Sequence, residues 1–370
     1  MDRVLVVTND FPPRDGGIER YVYEYARRLG DVVVLTSSSS DGAGRDQFPF
    51  PVVRMKDNLL LPTQALGRQA RGLARAERCT AVWFGAAAPL ALLARQLRDV
   101  GPVVASTHGH EVGWTRLPVA RSAIAAIGRR CTTVTDISDF TRRHLQPVLG
   151  HACRLERLPG GVDHERFRPD SEVRSEMRAR LGLADDSCVV LCVSRLVARK
   201  GQDILIRAFA TRDVRLDNAI LMIAGTGPDE ARLRALATSA GISDRVRFLG
   251  RVTDDELPSL YGAADVFAMP CRSRHARLDV EGLGVVYLEA AASRLPVIAG
   301  SSAGAPEAVR PGTTGCVSDG HSVSQLVELL GLLIADPDRR RAFGDAGRRW
   351  VQADFSWDNL TTRLRSALRS

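Results

Sequence analysis

The chain has 370 residues, of which 45% are hydrophobic and 25% charged, as expected of a globular protein with about two domains and a sizeable core. This composition excludes wholesale disorder, collagen-like repeats and a small disulfide scaffold, and no apolar run reaches the roughly 18 residues of a membrane span. The net charge of +8 permits an anionic partner, although no basic stretch interleaved with aromatic residues indicates nucleic acid.

The first half of the chain predicts alternating strands and helices. The first apolar run, at residues 4–7, is too short for a secretory signal and runs into two prolines, so a cytoplasmic location is expected. Apolar residues at three- to four-residue spacing then predict a helix over 18–29. Residues 37–46 are predicted to form a polar loop. Further short apolar runs predict strands at 32–35, 81–84, 103–106 and 132–137, and a helix at 89–97.

An irregular stretch with several prolines and glycines, from Leu158 to Pro169, interrupts this alternation and predicts a linker. The alternation then restarts. The predicted elements are strands at 188–193, 220–224, 246–249, 266–269 and 296–299, and helices at 203–210, 230–240, 285–292 and 323–334. Two such series predict an α/β protein with two Rossmann-like domains that face each other across a cleft, with ligands beyond the carboxyl ends of the strands.

The predicted boundaries follow from the linker. An N-terminal Rossmann-like domain is expected over residues 1–165 and a C-terminal one over 166–354. Residues 355–370 predict a terminal helix that can cross back to the N-terminal domain. The first domain is expected to bind an acceptor and the second a donor, an assignment that depends on the motifs below.

Two glycines, Gly16 and Gly17, follow the first predicted strand and precede the first predicted helix. Without Cβ atoms they let a ligand approach the backbone closely, and the free N–H groups at a helix start favour an anion. The spacing is not G-x-G-x-x-G, so the dinucleotide fingerprint is absent and an NAD-dependent oxidoreductase is disfavoured. A tight turn without a ligand is the structural alternative.

Arg195 and Lys200 lie in the loop after the first strand of the second half. The planar guanidinium group can hold a phosphate through two hydrogen bonds, and the lysine adds a point charge. Lys200 is one of only two lysines in the chain, the other being Lys56, whereas the remaining cations are arginines. The pattern indicates a phosphate site, and a solvated basic loop is the alternative.

Glu281 and Glu289 are separated by seven residues and flank a glycine-containing turn. A helix that starts near Val285 would place Glu281 in the preceding loop and Glu289 inside the helix, with exposed N–H groups that favour an anion. Ionised carboxylates accept hydrogen bonds from sugar hydroxyls, so one glutamate could hold a hexose and the other a ribose. Alternatively, Glu289 only complements the helix dipole. The donor-binding candidates in the turn are Gly282, Leu283, Gly284 and Val285.

His108 and His110 follow a predicted strand of the first half. His108 could contact a substrate or be structural, whereas two histidines without a clear third ligand make a weak metal site. The D-x-D sequence at Asp336 lies between two C-terminal helices and predicts a helix stop and cap. The seven cysteines are scattered without a C-x-x-C pair, which predicts buried thiols rather than disulfides or a zinc site.

Together these residues resemble the retaining glycosyltransferases of family 4, which have the GT-B fold. The resemblance rests on the two early glycines, the R-x4-K pattern and the E-x7-E pattern, and it covers nearly the whole chain. It implies metal-independent transfer with closure of the two domains. By position, Gly17 would lie beside the donor diphosphate and Arg195 and Lys200 would bind it. The resemblance also places Glu281 at the hexose, Glu289 at the ribose and His108 near the reacting centre.

A closer likeness is to the actinobacterial phosphatidylinositol mannoside mannosyltransferases of the PimB type. It rests on the segments 9–14, 83–90, 106–114 and 278–284. That family transfers mannose from GDP-mannose to the inositol of a mannosylated phosphatidylinositol at the cytoplasmic face of the membrane. The chain departs from the pattern at residues 271–277, typically a glycine-rich loop, at Ala303 and at 18–21.

We therefore predict a retaining hexosyltransferase that moves a hexose, in first place mannose from GDP-mannose, to a phosphatidylinositol mannoside-type acceptor without a metal. The residues expected to be catalytic are His108, Arg195, Lys200 and Glu281. The candidates for acceptor binding are Asn9, Asp10, Arg14 and His110.

Two alternatives stay open at the level of sequence. One is a glycosyltransferase of specialised metabolism that uses a UDP-sugar and a soluble cyclitol or aminocyclitol. The other is a basic binding protein without catalysis. A lipid acceptor predicts peripheral association with an anionic membrane, and the segment 58–62 is a candidate apolar patch for it. Nucleic acid is not expected as a partner.

Overall fold

The protein is represented by a computed structural model that describes residues 3–14, 16–38, 48–211, 213–273 and 280–370. The chain divides into two compact units, Met1–Gly161 together with Trp357–Ser370, and Val162–Ser356. Most of the predicted polar loop at 37–46, and residues 274–277 of the segment that departs from the family pattern, lie outside the described residues.

The first unit contains a parallel sheet. Its strands are β1 (Arg3–Thr8), β2 (Val32–Thr36), β3 (Val52–Arg54), β4 (Cys79–Phe84), β5 (Val103–Ser106), β6 (Thr133–Asp136) and β7 (Arg154–Arg157), in the order β3-β2-β1-β4-β5-β6-β7. Side chains alternate between the two faces of a strand. Accordingly, Leu5 and Val7 join one buried apolar cluster, whereas Val4 and Val6 join another. Both faces of β1 are therefore covered, which explains its continuous apolar run.

The helices of the first unit up to the linker begin at recognisable signals. They are α1 (Gly17–Leu29), α2 (Gln64–Ala76), α3 (Ala94–Leu97), α4 (Glu111–Trp114), α5 (Pro118–Arg130) and α6 (Asp139–Leu149). The Thr63 hydroxyl accepts a hydrogen bond from the Leu66 N–H at the start of α2, and Ser138 caps α6 in the same way through the Thr141 N–H. Pro118 occupies the first turn of α5, where a missing N–H costs nothing.

The second unit contains another parallel sheet. Its strands are β8 (Cys188–Val193), β9 (Ala219–Ala224), β10 (Val246–Gly250), β11 (Val266–Met269), β12 (Val297–Gly300) and β13 (Gly315–Ser318), in the order β10-β9-β8-β11-β12-β13. Its helices are α7 (Ser171–Arg180), α8 (Gln202–Phe209), α9 (Glu230–Ser239), α10 (Leu257–Ala263), α11 (Val285–Ala292), α12 (Val323–Ala335) and α13 (Pro337–Asp354). Strands thus alternate with helices through the unit, as the sequence predicts.

The terminal helix, α14 (Trp357–Ala367), belongs to the first unit and packs on α1. The Trp357 ring lies edge-on to Tyr25 with 5.1 Å between centroids, and the Arg28 guanidinium lies 4.7 Å from the centroid of the same indole. A Cβ at Gly161 would stand 2.6 Å from the Trp357 ring, so this position accepts only glycine without a shift.

The sequence analysis missed several elements, among them the strands β3, β7 and β13 and the helices α2, α5, α6 and α7. β3 and β7 are edge strands with partly exposed side chains, and a half-exposed edge needs no continuous apolar run. The missed α2 buries one leucine, Leu66, and otherwise small residues, Gly67, Ala70 and Ala74. The predicted helix over 89–97 is a 3-10 turn at Leu90–Leu93 that continues into α3.

Within the described ranges, no helix combines the length and the hydropathy that a membrane span requires.

Candidate functional site

The strand order reverses once in each sheet, between β1 and β4 in the first unit and between β8 and β11 in the second. In open parallel sheets, ligands bind beyond the carboxyl ends of the strands at such a switch point. The loop after β1 carries Asn9, and the loop after β5 brings His108 to the loop after β4. The loops after β8 and β11 carry Lys200 and Glu281. Most of the predicted site residues therefore lie at the switch point of their own unit.

At the switch point of the first unit, Asn9 holds a neighbouring loop. Its amide Nδ2 donates to the Leu60 carbonyl at 3.1 Å and its Oδ1 accepts from the Leu60 N–H at 2.7 Å. Arg14 donates from Nη1 to the Asn9 carbonyl at 3.1 Å and from Nη2 to the Asn58 carbonyl at 2.7 Å. Asp10 follows Asn9 and is half-buried. These contacts fix the backbone of 58–60 against the loop after β1.

His108 is fixed through one ring nitrogen. Its Nε2 lies 2.7 Å from the Gly85 carbonyl, so Nε2 carries the hydrogen and donates it. The Tyr21 ring packs edge-on against the imidazole with 4.8 Å between centroids. Burial lowers the pKa of His108 below its ordinary value of 6.5, in spite of the Glu111 charge and the Gly85 hydrogen bond. The ring is therefore neutral at pH 7, and its Nδ1 is a hydrogen-bond acceptor.

Glu111 shapes the loop that carries both histidines, a role that the sequence analysis did not assign. Its Oε2 accepts hydrogen bonds from the His108 and Gly109 N–H groups at 3.0 Å each. Its Oε1 lies 3.5 Å from Nε2 of His110, whose side chain is partly exposed. The carboxylate was visible in the sequence three residues after His108, but the hydrogen bonds that it accepts from the loop depend on the folded main chain.

Gly17 begins α1, and Gly16 precedes it in extended backbone. A Cβ built on Gly17 would meet no atom within 4 Å. Both glycines are exposed, and Gly16, at the N-cap position, has no side chain with which to cap α1. The protein's own packing thus gives no steric reason for a glycine at position 17, which leaves close approach of a ligand as a reason for it.

The charges at the switch point of the second unit converge on one carboxylate oxygen. Glu281 Oε2 lies 2.6 Å from Lys200 Nζ and 2.7 Å from Arg199 Nη1. Burial by itself would raise the pKa of Glu281, but the charges and hydrogen bonds of Lys200 and Arg199 outweigh it and hold the pKa below its usual value. Glu281 is therefore ionised at neutral pH. We call Arg199, Lys200 and Glu281 the charge cluster.

The main chain after Lys200 is pressed against the loop that follows β11. Gly201 has a φ of +79°, and a Cβ there would stand 2.1 Å from the Pro270 carbonyl oxygen. Only glycine fits this left-handed, crowded position without strain. The turn therefore sets the direction in which Lys200 leaves the main chain.

Arg195 differs from Lys200 because its side chain is exposed, and among the described residues its guanidinium has no ion-pair partner. Its backbone carbonyl accepts a hydrogen bond from Gln202 Nε2 at 3.2 Å, and the same amide group donates to the Ser194 hydroxyl at 2.8 Å. The structure thus anchors the main chain of Arg195 and leaves its charged head available.

The turn before α11 has the predicted form. Gly284 has a φ of +87° at the N-cap, and a Cβ there would lie 2.6 Å from the Tyr287 ring. Val285 begins the helix and is 36% exposed. Glu289 lies inside the helix as predicted, but its carboxylate is buried and accepts a hydrogen bond from the Tyr261 hydroxyl at 3.1 Å.

A second buried ion pair, also missed from the sequence, ties the loops of the second unit together. Arg272 Nη2 donates to both carboxylate oxygens of Asp203 at 2.9 Å. The Arg272 N–H donates to the Arg199 carbonyl at 2.8 Å, so the pair connects the loop after β11 to the segment that carries the charge cluster. Asp203 and Arg272 are 69 positions apart, and nothing in a single sequence shows that they meet.

Other predicted features concern metals and thiols. Within the part of the chain that the structure describes, no three histidine, cysteine or acidic side chains group as metal ligands would. Asp336 caps α13 by accepting from the Arg339 N–H at 2.9 Å, which confirms the predicted cap. The cysteines are free thiols, and all but Cys316 are buried.

Two family models match the chain. The model described as Glycosyltransferase Family 4 matches residues 15–166, and the model described as Glycosyl transferases group 1 matches residues 173–350. Each match falls almost wholly within one of the two units.

The chain is also similar over its full length to named mannosyltransferases. A GDP-mannose-dependent alpha-(1-6)-phosphatidylinositol monomannoside mannosyltransferase of Mycobacterium tuberculosis is 48% identical over 100% of this chain and 98% of its own length. A GDP-mannose-dependent monoacylated alpha-(1-6)-phosphatidylinositol monomannoside mannosyltransferase of Corynebacterium glutamicum is 44% identical over 100% and 98%. A crystal structure of Anabaena HepE in complex with UDP superposes with a TM-score of 0.85 at 21% identity, over 100% of this chain and 99% of that one, a likeness of fold.

Proposed function

The chain belongs to glycosyltransferase family 4 and is a nucleotide-sugar-dependent hexosyltransferase with the two Rossmann-like domains of the GT-B fold, and from this premise we propose its substrates. The donor is GDP-mannose, and the acceptor is a hydroxyl of a phosphatidylinositol monomannoside-type glycolipid. The names of relatives that are 44% and 48% identical over the whole chain support this choice. The reaction retains the anomeric configuration and needs no metal.

The observation that carries the proposal is the charge cluster at the switch point of the second unit. Lys200 there carries a buried positive charge that can meet the diphosphate of a nucleotide sugar. The exposed guanidinium of Arg195 adds a bidentate contact, and the turn at 282–285 adds backbone N–H groups. Fixed donors of this kind stabilise the negative charge that develops on the leaving diphosphate, each by about 3 kcal/mol.

The proposed chemical step breaks the bond between the anomeric carbon and the diphosphate oxygen. The acceptor hydroxyl attacks the anomeric carbon from the face that the diphosphate leaves, and its proton passes to the leaving phosphate oxygen. Glu281 is suited to accept a hydrogen bond from a hexose hydroxyl rather than to act as a nucleophile, because two cations hold its charge. His108 offers a neutral Nδ1 acceptor to the hexose, and Glu289 shares its carboxylate between Tyr261 and the ribose.

The first unit is proposed to hold the acceptor. Asn9, Asp10 and Arg14 lie in the loop after β1, and His110 lies in the loop that carries His108. Arg14 can meet the phosphate of a phosphoinositide. Leu59 and Leu61 are 58% and 54% exposed, because Asn9 holds the backbone of Leu60 between them. Two exposed leucines on an anchored loop suit peripheral contact with a membrane that contains the acceptor.

The donor is tested by thermal shift, since a ligand that binds only the folded state raises the melting temperature. GDP-mannose is expected to raise it more than UDP-glucose or UDP-N-acetylglucosamine at equal concentration. A larger shift with a UDP-sugar would contradict the donor assignment and favour the soluble-cyclitol alternative.

The acceptor is tested by transfer of labelled mannose to phosphatidylinositol monomannoside in mixed micelles, with a soluble cyclitol as the competing acceptor. We expect the label in the lipid fraction and an α-linked product. Label that appears only on the soluble cyclitol would contradict the acceptor assignment without affecting the donor.

A further inference from the structure

Two cations converge on a single atom, Glu281 Oε2, although the family's R-x4-K pattern uses only one of them. Lys200 must engage the diphosphate if the proposed function is right, and it cannot then keep its whole contact with Glu281. We propose that Arg199 is a positioning residue that stays on the Glu281 carboxylate and compensates this buried charge while Lys200 turns to the donor. The inference rests on the proposed role of Lys200.

The burial of the three side chains makes this compensation necessary. The side chains of Glu281 and Lys200 are each 11% exposed, and that of Arg199 is 24% exposed. A buried carboxylate that loses its only cation either pays a large desolvation cost or takes up a proton. With Arg199 in place, Glu281 keeps one counter-ion in both the empty and the donor-bound state.

Arg199 is the group suited to remain, because its main chain is anchored at the carbonyl. Its carbonyl accepts from the Arg272 N–H at 2.8 Å, and Arg272 is itself fixed by two hydrogen bonds to Asp203. Gly201 packs directly against the Pro270 carbonyl, which restricts movement of the turn that carries Arg199 and Lys200. Lys200 has a flexible four-carbon stem and can exchange partners within this frame.

Among the described residues, the other side chains that face Glu281 offer no substitute for the cation. Burial raises the pKa of the Cys271 thiol to about 11 and that of the Tyr287 phenol well above its usual value, so both are neutral at pH 7. The Ser302 hydroxyl accepts from the Glu281 N–H at 3.3 Å, and the Gly304 N–H donates to the Glu281 carbonyl at 3.0 Å. Within the described ranges, Arg199 and Lys200 are thus the charges that keep Glu281 ionised.

The test is the number of protons taken up when GDP-mannose binds, measured by titration calorimetry in buffers of different ionisation enthalpy between pH 8 and 6. The wild type is expected to take up none. Arg199→Gln is expected to bind the donor about tenfold more weakly, the effect of one charge-assisted hydrogen bond. It should also take up a fraction of a proton that grows as the pH falls. Arg199→Lys keeps the cation and should restore the wild-type proton count.

Arg174→Gln is the control, because Arg174 pairs with Asp265 just before the amino end of β11, whereas the charge cluster follows the carboxyl ends of the strands. It should lower the melting temperature without changing the proton count. The inference is overturned if the Arg199→Gln variant binds GDP-mannose with wild-type affinity and takes up no proton. If that variant does not fold, the wild type decides, since uptake of about one proton by the wild type contradicts compensation by Arg199 and uptake of none supports it. Failure of the wild type to bind GDP-mannose would instead refute the proposed function.

Discussion

The two switch points are built from different kinds of contact. In the first unit, the side chains of Asn9 and His108 are held by uncharged hydrogen bonds to the carbonyls of Leu60 and Gly85. In the second unit, Lys200 is held by a buried ion pair with Glu281. The contacts of the first unit fix the positions of two side chains, whereas the ion pair of the second unit keeps charged groups in a buried, low-dielectric environment.

This difference corresponds to two demands of glycosyl transfer. An acceptor hydroxyl has to be oriented, which rigid neutral contacts achieve. A leaving diphosphate has to be stabilised as its charge grows, which requires positive groups already in position. Variants at the second switch point should therefore act on the chemical step, and variants at the first should act on binding and orientation.

The largest expected effect comes from removing the cation of the second switch point. Lys200→Ala should reduce kcat at saturating GDP-mannose by about 100-fold, since roughly 3 kcal/mol of transition-state stabilisation is lost. Glu281 keeps Arg199 as its partner, so the melting temperature should change little.

The matched control for this variant is Lys56→Ala, which removes the chain's other lysine from an exposed position in the first unit. It should leave turnover unchanged. A near-normal kcat in Lys200→Ala would show that Lys200 does not stabilise the leaving diphosphate. It would also contradict the assignment of the chemical step to the second switch point.

A smaller effect, on donor binding, is expected from adding a methyl group at Gly17 in the first unit. Gly17→Ala places a methyl group where the structure has open space, so folding should be unaffected, whereas a ligand there meets a clash of roughly 1–3 kcal/mol. The KM for GDP-mannose should rise about tenfold while the melting temperature stays constant. Gly72→Ala, in the exposed part of α2 with equally open surroundings, is the control and should leave KM unchanged. An unchanged KM in Gly17→Ala would remove Gly17 from the donor site.

The two switch points were not equally predictable from the sequence. Lys200 and Glu281 could be found because a lone lysine and a glutamate pair beside glycines carry chemical information locally. The contacts that position them could not, since Arg272 and Asp203 meet only through folding. In the first unit, His108 was found, but its partner Gly85 and the support from Glu111 depend on main-chain geometry. The buried strands were predicted well. Three of the four edge strands, β3, β7 and β13, were missed, because a partly exposed strand needs no apolar run.

The pH dependence of stability should separate the two switch points. The folded state lowers the pKa of His108 below 6.5, so its contribution to stability is present above that pH and is lost as the pH falls through the lowered value. It also lowers the pKa of Glu281 below 4.5, so that contribution is lost only in more acidic solution. His108→Gln should flatten the melting-temperature curve below pH 6.5, and Glu281→Gln should change it below pH 4.5. Identical curves for wild type and His108→Gln would contradict a buried neutral imidazole.

Removal of divalent metal ions by chelation is expected to have no effect on transfer activity. A diphosphate can be neutralised by a metal ion or by protein cations, and the second switch point supplies Lys200 and Arg195 for this purpose. The D-x-D sequence at Asp336 is committed to capping α13. Transfer measured with GDP-mannose should therefore have the same kcat and KM before and after EDTA treatment, and added Mg²⁺ or Mn²⁺ should not raise them. Activity that disappears with EDTA and returns with a divalent cation would show that fixed cations alone are insufficient. His108 and His110 in the first unit would then have to be tested as metal ligands.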